Sequence, residues 1–218
     1  MHKKLRFLPW SALFIVLCVA ITLLWRTRTD VPKGTSSVVI DTTVLRNGDL
    51  LFRTGYGIQS GVVLRLSGGV YSHIAMAYHS PHGWVAVHAV PGETDDGQDQ
   101  DWLKAEPITT FYCSERAACG AIARVDCDTV TARKAVEYAL DKVRSRLTFD
   151  HGYDLQDTSR YYCTELVYRA YLSQGIDLCN TAAVPCSSEN GVRKYLYPDD
   201  IFTNAKVLWR KKLSTNDN

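Results

Sequence analysis

Apolar residues alternate with polar or small ones in two neighbouring stretches, "HIAMAY" and "WVAVHAV", and this pattern predicts two β-strands. The residues "SPHG" between them supply turn-forming proline and glycine, so the strands are expected to form a hairpin. With those four residues as the loop, His73 lies opposite Val90, and His88 lies diagonally beside His73 on the same face. A register slip of one residue would separate the two histidines.

A helical pattern follows in the C-terminal half, where "RYYCTELVYRAY" spans Arg160 to Tyr171. Cys163 shares one face with the residues three, four and seven positions further on, Leu166, Val167 and Ala170. Thr158 or Ser159 is expected to cap this helix, which would put Cys163 within its first turn. We expect the helix to approach the histidine-bearing face of the hairpin closely, because that face carries small residues, Ala75, Ala77 and Ala86.

The rest of the pattern predicts further strands and helices, and together the elements indicate an α+β fold. A Gly48-Asp49 turn leads into an apolar strand, and "GIQSGVVLRLSGG" is typical of a short helix bounded by glycines. Another strand is expected near Gly120 to Val125. It is followed by "DTVTARKAVEYALDKVRSRL", which has apolar residues at helical spacing and Asp128 or Thr129 as its cap. The chain closes with the strand-like "AKVLWR".

A stretch near the N-terminus, "FLPWSALFIVLCVAITLLW", carries no charge and matches the length of a membrane-spanning helix. The sequence therefore predicts a basic tail at 1–6, a transmembrane anchor at 7–25 and a linker at 26–43. The folded domain is expected at 44–210, and a polar tail at 211–218. An uncleaved anchor of this kind predicts a single-pass protein of the bacterial inner membrane.

Cysteine spacing bears on the compartment of the domain. Two close pairs, Cys113 with Cys119 and Cys179 with Cys186, could close short disulfide loops, which favours a periplasmic or other extracytoplasmic domain. The alternative is a cytosolic domain with reduced thiols, and Cys127, which has no obvious partner, is compatible with it. The chain has 25 Lys and Arg against 23 Asp and Glu, a net charge of +2, without a basic stripe, so nucleic acid is not an expected partner.

The helix and the hairpin together suggest nucleophilic catalysis. A thiol near a helix N-terminus is expected to have a lowered pKa and so to be a better nucleophile. A thiolate needs an adjacent base, and the base needs a third group to hold its ring, which assigns these roles to Cys163, His73 and His88. Glu93, a few residues beyond His88, is the alternative for the third role. A structural cysteine is the competing interpretation of Cys163. No zinc-binding pattern of cysteines or histidines is present, and neither a metal nor a cofactor is predicted.

The order of the segments "NGDLLF", "YSHIAM", "WVAVHAV", "YDLQDTSRYYCTELVYRAY" and "YPDDIF" resembles the YiiX and YebB-like cysteine hydrolases. These enzymes form the circularly permuted branch of the NlpC-type papain-like superfamily, in which the histidine precedes the cysteine. The resemblance implies a small antiparallel sheet packed against the cysteine helix, with Cys163 as nucleophile and His73 as base. His88 occupies the third polar position, where glutamate is more often expected. The candidate substrate-binding residues are Asp49, Tyr153, Asp154 and Tyr162.

These observations predict a membrane-anchored cysteine hydrolase that cleaves an amide, in a cell-wall peptide, through a thioester at Cys163. The alternatives are a lipid thioesterase or acyltransferase of the same superfamily and a non-catalytic envelope module. The expected partners are a peptide or acyl-lipid substrate and, through residues 7–25, the membrane. The pattern leaves the oligomeric state open.

Overall fold

The computed structural model describes residues 38–93, 101–179 and 195–211, and two short strands between the last two ranges. The strands are β1 (Leu50–Thr54), β2 (His73–Ser80), β3 (Gly83–His88), β4 (Lys104–Pro107), β5 (Cys119–Arg124), β6 (Thr148–Phe149), β7 (Arg160–Tyr161), β8 (Ser188–Glu189), β9 (Val192–Arg193) and β10 (Lys206–Lys211). The helices are α1 (Ile58–Ser67), α2 (Ile108–Phe111), α3 (Thr129–Arg144), α4 (Cys163–Leu172) and α5 (Pro198–Phe202), and a 3₁₀ turn spans Thr42–Val44.

The described chain forms an α+β fold around one six-stranded antiparallel sheet, with the strand order β10-β5-β1-β2-β3-β4. Two further sheets have two strands each, the parallel pair β6-β7 and the antiparallel pair β8-β9. The main sheet is larger than the small sheet expected from the sequence. The helix predicted between the glycines is α1, which begins after Gly57 and ends at Ser67, just before Gly68.

The hairpin has the predicted register, although its loop is shorter than expected. Ser80 pairs with Gly83, so only two residues form the turn. His79 lies opposite Trp84, and the same register, continued to the start of β2, places His73 opposite Val90 as predicted. The register is preserved because the shorter loop only adds one residue pair at the tip of the same ladder.

Helices cover both faces of the main sheet. On one face, α3 and α4 bury their apolar residues against a cluster that includes Ile74 and Met76 of β2. On the other face, Ala75 and Ala77 pack with Phe111 of α2. The prediction that the cysteine helix covers the alanine face is therefore wrong, because β2 presents its larger side chains to α4 and its alanines to α2.

The cysteine helix begins later than the sequence suggested. Its N-cap is Tyr162, which makes no side-chain capping bond, and Cys163 is the first helical residue. Thr158 and Ser159 precede the short strand β7 and do not cap the helix. The predicted cap of α3 is confirmed at Asp128, whose carboxylate accepts hydrogen bonds from the N–H groups of Val130 and Thr131.

Two predictions that bear on the compartment are corrected. Within the described ranges, no helix is both long and apolar enough to cross a membrane. The described fold is thus α+β without the transmembrane helix that the predicted fold class included, and the segment assigned to that helix, 7–25, lies outside the described residues. Cys113 and Cys119 are free thiols and do not form the predicted disulfide. Cys179 is disulfide-bonded, whereas its predicted partner Cys186 lies outside the described residues.

Candidate active site

Cys163 lies half-buried at the first position of α4, where the helix meets the start of β2. Its Sγ lies 3.6 Å from the hydroxyl of Thr164, and the backbone N–H of Ile74 also hydrogen-bonds the sulfur. Burial nevertheless raises the pKa of the Cys163 thiol above its ordinary value, and this outweighs those hydrogen bonds, which lower it. The pKa lowering expected at the helix N-terminus is thus overcome by desolvation.

His73 and His88 are in direct contact, as the hairpin register predicts. Nε2 of His73 lies 2.7 Å from Nδ1 of His88, and the ring centroids are 5.0 Å apart. Both side chains are buried, and Phe111 packs against both rings. Burial first, and then the nearby positive charge of Arg53, hold the pKa of each histidine well below its usual range. Both imidazoles are therefore neutral at neutral pH.

Glu106, on β4, completes a chain of polar contacts that the sequence analysis missed. Its Oε1 lies 3.2 Å from Nε2 of His88, at ion-pair distance but not aligned as a hydrogen bond. Its Oε2 accepts a 2.6 Å hydrogen bond from Arg116. The carboxylate is 3% exposed, so it faces His88 in a site from which water is largely excluded. The sequence carries no signal for this role, because the loop between β3 and β4 leaves the register of β4 undetermined.

Glu93, the alternative candidate for orienting the base, contacts arginines rather than histidines. It forms ion pairs with Arg53 and Arg116. Arg53 also donates a 2.8 Å hydrogen bond to the carbonyl of Phe111, and its guanidinium lies 4.5 Å from the centroid of that ring. Arg53 is thereby fixed beside the two histidines, and its charge contributes to keeping them neutral.

Two cavities meet at Cys163. The first, which we call the charged cavity, has a volume of about 610 Å³, and its lining includes Arg53, His73, Glu93, Arg116 and Cys163. The second, the apolar groove, has a volume of about 450 Å³, and its lining includes Ile58, Val62, Leu66, Tyr195, Pro198 and Cys163. The thiol is therefore accessible from two spaces of different chemical character.

The four candidate substrate-binding residues divide into two groups. Tyr153 and Tyr162 lie beside Cys163, with ring centroids 5.2 Å apart, and both line the apolar groove. Asp49 lies elsewhere, buried in a two-bond ion pair with Arg124. Asp154 is exposed and accepts a hydrogen bond from the backbone of Gln156. The structure thus brings both tyrosines, but neither aspartate, to the cavities around the thiol.

No family model and no curated protein matches the chain. Among solved structures, the chain is similar to the metalloprotein YiiX from Escherichia coli O157:H7, described as DUF1105. The TM-score is 0.58 at 15% sequence identity, and the alignment covers 76% of this chain and 97% of that one. The chain therefore has a YiiX-like fold, in agreement with the resemblance found in the sequence. Membership of the NlpC superfamily does not follow from this similarity.

The description of YiiX as a metalloprotein raises the question of a metal site here. Within the ranges that the structure describes, no group of three or more His, Cys, Asp or Glu side chains is placed to hold a metal ion. The two histidines use one nitrogen each on one another. These residues do not fit a metal centre.

Proposed function

We propose that the protein is a cysteine hydrolase that breaks a carboxylic acyl bond through a thioester on Cys163, with His73 as the base. The observation that carries the proposal is that Cys163 and His73 line one cavity while the far nitrogen of His73 is held by His88. A nucleophile, a base and a group that orients the base are the parts this chemistry requires.

The chain of contacts beyond His73 favours the protonation state that a base needs. A carboxylate can only accept a hydrogen bond, so Glu106 favours a proton on Nε2 of His88. Nδ1 of His88 is then an acceptor and takes the hydrogen bond from Nε2–H of His73. This leaves Nδ1 of His73 unprotonated and able to accept the proton of the thiol.

The reaction begins from a neutral thiol and a neutral imidazole. Sγ of Cys163 attacks the carbonyl carbon while its proton moves to Nδ1 of His73, and the carbonyl oxygen becomes an oxyanion. The backbone N–H of Cys163 is suited to stabilise that oxyanion, because an N–H in the first turn of a helix has no partner within the helix. Collapse of the intermediate breaks the bond to the leaving group, which takes the proton from His73.

Water then completes the cycle. A water molecule gives a proton to His73 as its oxygen attacks the thioester, and a second tetrahedral intermediate forms. The C–S bond breaks, the carboxylic acid departs, and the sulfur recovers its proton from His73. The products are the free acid and the protonated leaving group, and the protein returns to its initial state.

Two substrate classes fit this chemistry. The sequence favours an amide bond in a cell-wall peptide. The apolar groove beside Cys163 supports the second candidate, an acyl lipid, because a mostly apolar surface favours a substrate that gains free energy by leaving water.

The proposal is tested by alkylation and turnover with the purified chain. We expect iodoacetamide to modify Cys163, and we expect the Cys163→Ala variant to lose hydrolysis of activated acyl esters entirely. The matched control is Cys127→Ala, because Cys127 is also a free, partly buried thiol but lines neither cavity. Full activity in Cys163→Ala, or no turnover of any acyl ester by the wild type, would favour the non-catalytic alternative.

A further inference from the structure

Two backbone groups just before His73 are held by a side chain from α5. Residues 68–72 connect α1 to β2, whose first residue is His73. The N–H of Val70 donates a 3.0 Å hydrogen bond to Oδ1 of Asp199, and the N–H of Tyr71 donates a 2.9 Å bond to Oδ2. Hydrogen bonds to a carboxylate are about twice as strong as those between neutral groups, so one side chain fixes two successive residues of this turn.

The other side of the turn is held by β1 and the loop that follows it. The hydroxyl of Thr54 donates a hydrogen bond to the carbonyl of Val70. The N–H of Ser72 donates a 3.1 Å bond to the carbonyl of Arg53, and Oγ of Ser72 accepts a 2.8 Å bond from the N–H of Gly55. Because β1 lies within the main sheet, the turn is fixed between the sheet on one side and α5 on the other.

The helix that carries Asp199 is itself packed against the sheet. Ile201 of α5 is fully buried. The ring of Phe202 packs against the rings of Phe52 and Tyr71, with centroids 5.1 and 4.8 Å away. The carboxylate of Asp199 therefore has a fixed place from which to hold the turn.

Gly69 allows Asp199 to reach the turn. A Cβ at position 69 would overlap the carboxylate of Asp199, and its nearest contacts would all be with that side chain. Gly69 does not have a positive φ, so its backbone conformation is open to alanine. The glycine is required by the approach of the carboxylate, and Gly69→Ala is therefore a second way to displace Asp199 from the turn.

The start of β2 presents two groups to the nucleophile. His73 lines the charged cavity together with Cys163, and the N–H of Ile74 hydrogen-bonds the sulfur. We infer that Asp199 is a positioning residue, which holds the turn and so places His73 and the N–H of Ile74 against the sulfur. This inference rests on the proposed function, since it concerns the position of the proposed base.

Two neighbouring aspartates of α5 provide a matched pair of variants. Asp199→Ala removes both hydrogen bonds to the turn, whereas Asp200→Ala removes a 2.8 Å bond from the N–H of Tyr197, at the start of α5 itself. With an activated acyl ester, we expect Asp199→Ala to lower kcat by about 10²-fold, the effect of a shift of about 1 Å at a reacting group. KM is expected to stay within about threefold of the wild-type value, because substrate binding does not use the base. Asp200→Ala is expected to keep kcat within about threefold of wild type, although it removes a helix cap.

The pH profile of Cys163 alkylation separates positioning from stability. The hydrogen bond from Ile74 lowers the pKa of the thiol, so its loss in Asp199→Ala is expected to shift the iodoacetamide profile to higher pH. A variant that is only less stable would expose the thiol, and its profile would shift the other way, because burial is what raises this pKa. The profile of Asp200→Ala is expected to coincide with that of the wild type.

Gly69→Ala tests the same contact without changing α5. We expect it to lower kcat about as much as Asp199→Ala does. The double variant Gly69→Ala/Asp199→Ala is expected to be no slower than Asp199→Ala, because the added methyl group then has no carboxylate to displace. Gly69→Ala also decides the matter if Asp199→Ala does not fold.

The outcomes separate this inference from the proposed function. Equal losses of kcat in Asp199→Ala and Asp200→Ala, or a loss in Asp199→Ala without the shift to higher pH, would assign Asp199 to stability and overturn the inference. A folded Asp199→Ala variant with the wild-type kcat would also overturn it, and in each of these cases the hydrolase stands. If the wild type turns over no acyl ester and Cys163 resists alkylation, the proposed function fails and the inference fails with it.

Discussion

Cys163 and His73 carry pKa shifts that both favour the neutral form. Burial raises the pKa of the thiol, and burial together with Arg53 lowers the pKa of the imidazole. The proton therefore stays on the sulfur in the free protein, and the nucleophile is activated only as the base takes that proton during attack. This differs from a preformed thiolate–imidazolium pair, which requires the opposite shifts.

The first prediction concerns the reactivity of Cys163 as a function of pH. We expect the rate of alkylation by iodoacetamide to increase continuously up to and beyond pH 9.0, the ordinary value for the thiol, because only the thiolate reacts. Alkylation rates between pH 5 and 10, followed by mass spectrometry of the Cys163 peptide, measure this dependence. Free cysteine is the reference, and a plateau below pH 7 would demonstrate a preformed ion pair instead.

The second prediction uses Glu106 to change the tautomer of both histidines. In the Glu106→Gln variant, the guanidinium of Arg116 can only donate hydrogen bonds. The new amide oxygen is therefore expected to face Arg116, and the amide NH₂ to face Nε2 of His88. That nitrogen must then accept, the proton moves to Nδ1 of His88, and Nδ1 of His73 becomes protonated. We expect kcat to fall by about 10³ to 10⁴-fold with the fold intact, the magnitude that a wrong tautomer costs in catalytic triads.

Steady-state kinetics on an activated ester, with circular dichroism to verify folding, measure the effect of Glu106→Gln. Glu115→Gln is the matched control, since Glu115 also lines the charged cavity but accepts a hydrogen bond from the hydroxyl of Ser114. A folded Glu106→Gln variant that keeps more than a tenth of the wild-type kcat would contradict the orienting role of Glu106.

At the scale of elements, the alternation of residues along a strand correctly predicted which side chains share a face of the sheet. It did not predict which helix packs against that face. The pattern of "HIAMAY" placed His73 with Ala75 and Ala77 on one face, and the structure agrees. Which helix covers that face depends on connections distant in the sequence, and α2 rather than α4 does so. Cys163 consequently meets β2 at its first residues, through the backbone of Ile74, instead of across the alanine face.

The third prediction concerns Glu165 in the first turn of α4. Its side chain is fully buried and accepts a 2.7 Å hydrogen bond from Arg169, yet burial raises its pKa from 4.5 to about 7. The folded state thus holds this proton more tightly than the unfolded state. The stability contributed by the protonated form is complete below pH 4.5 and is lost as the pH rises through 7.

Glu165→Gln removes this titration while retaining the shape of the side chain. We expect the variant to gain about 3 kcal/mol of unfolding free energy relative to wild type between pH 4.5 and 8, since one pKa unit corresponds to about 1.4 kcal/mol. Urea unfolding at both pH values gives the difference. Glu137→Gln is the control, because Glu137 pairs with Arg133 at the same spacing on an exposed helix surface. An equal pH response in both variants would contradict the burial argument.

At the scale of the whole molecule, local pattern predicted the elements and could not predict the long-range contacts. Short-range periodicity and turn chemistry predict the first strand of the sheet, the helix capped by Asp128 and the hairpin register that brings His73 to His88. The contact of His88 with Glu106 depends on how β4 returns beside β3. The pKa of Cys163 is raised because the folded chain buries the thiol, and this burial depends on long-range packing. The sequence shows only that the thiol lies at the start of a helix, and that position alone predicted a lowered pKa.

The fourth prediction follows from the two histidines acting together on the stability of the molecule. Their folded-state pKa values lie well below 6.5, so at pH values below 6.5 the unfolded chain binds protons that the folded chain does not. Their stabilisation is complete above pH 6.5 and decreases as the pH falls, by about 1.4 kcal/mol per pH unit for each histidine. Glu165 acts with the opposite sign over part of this range.

The relevant measurement is the difference in unfolding free energy between wild type and the His73→Gln/His88→Gln variant, because all other titrations cancel in it. We expect this difference to decrease by about 2.7 kcal/mol for each pH unit below 6.5. If the double variant does not fold, NMR titration of the wild-type histidines provides the same information. The two buried rings are then expected to keep the shifts of neutral imidazole at pH values below 6.5, where an unperturbed imidazole is protonated. Titration of His73 or His88 at or above pH 6.5 would contradict both the burial argument and the neutral resting state of the proposed base.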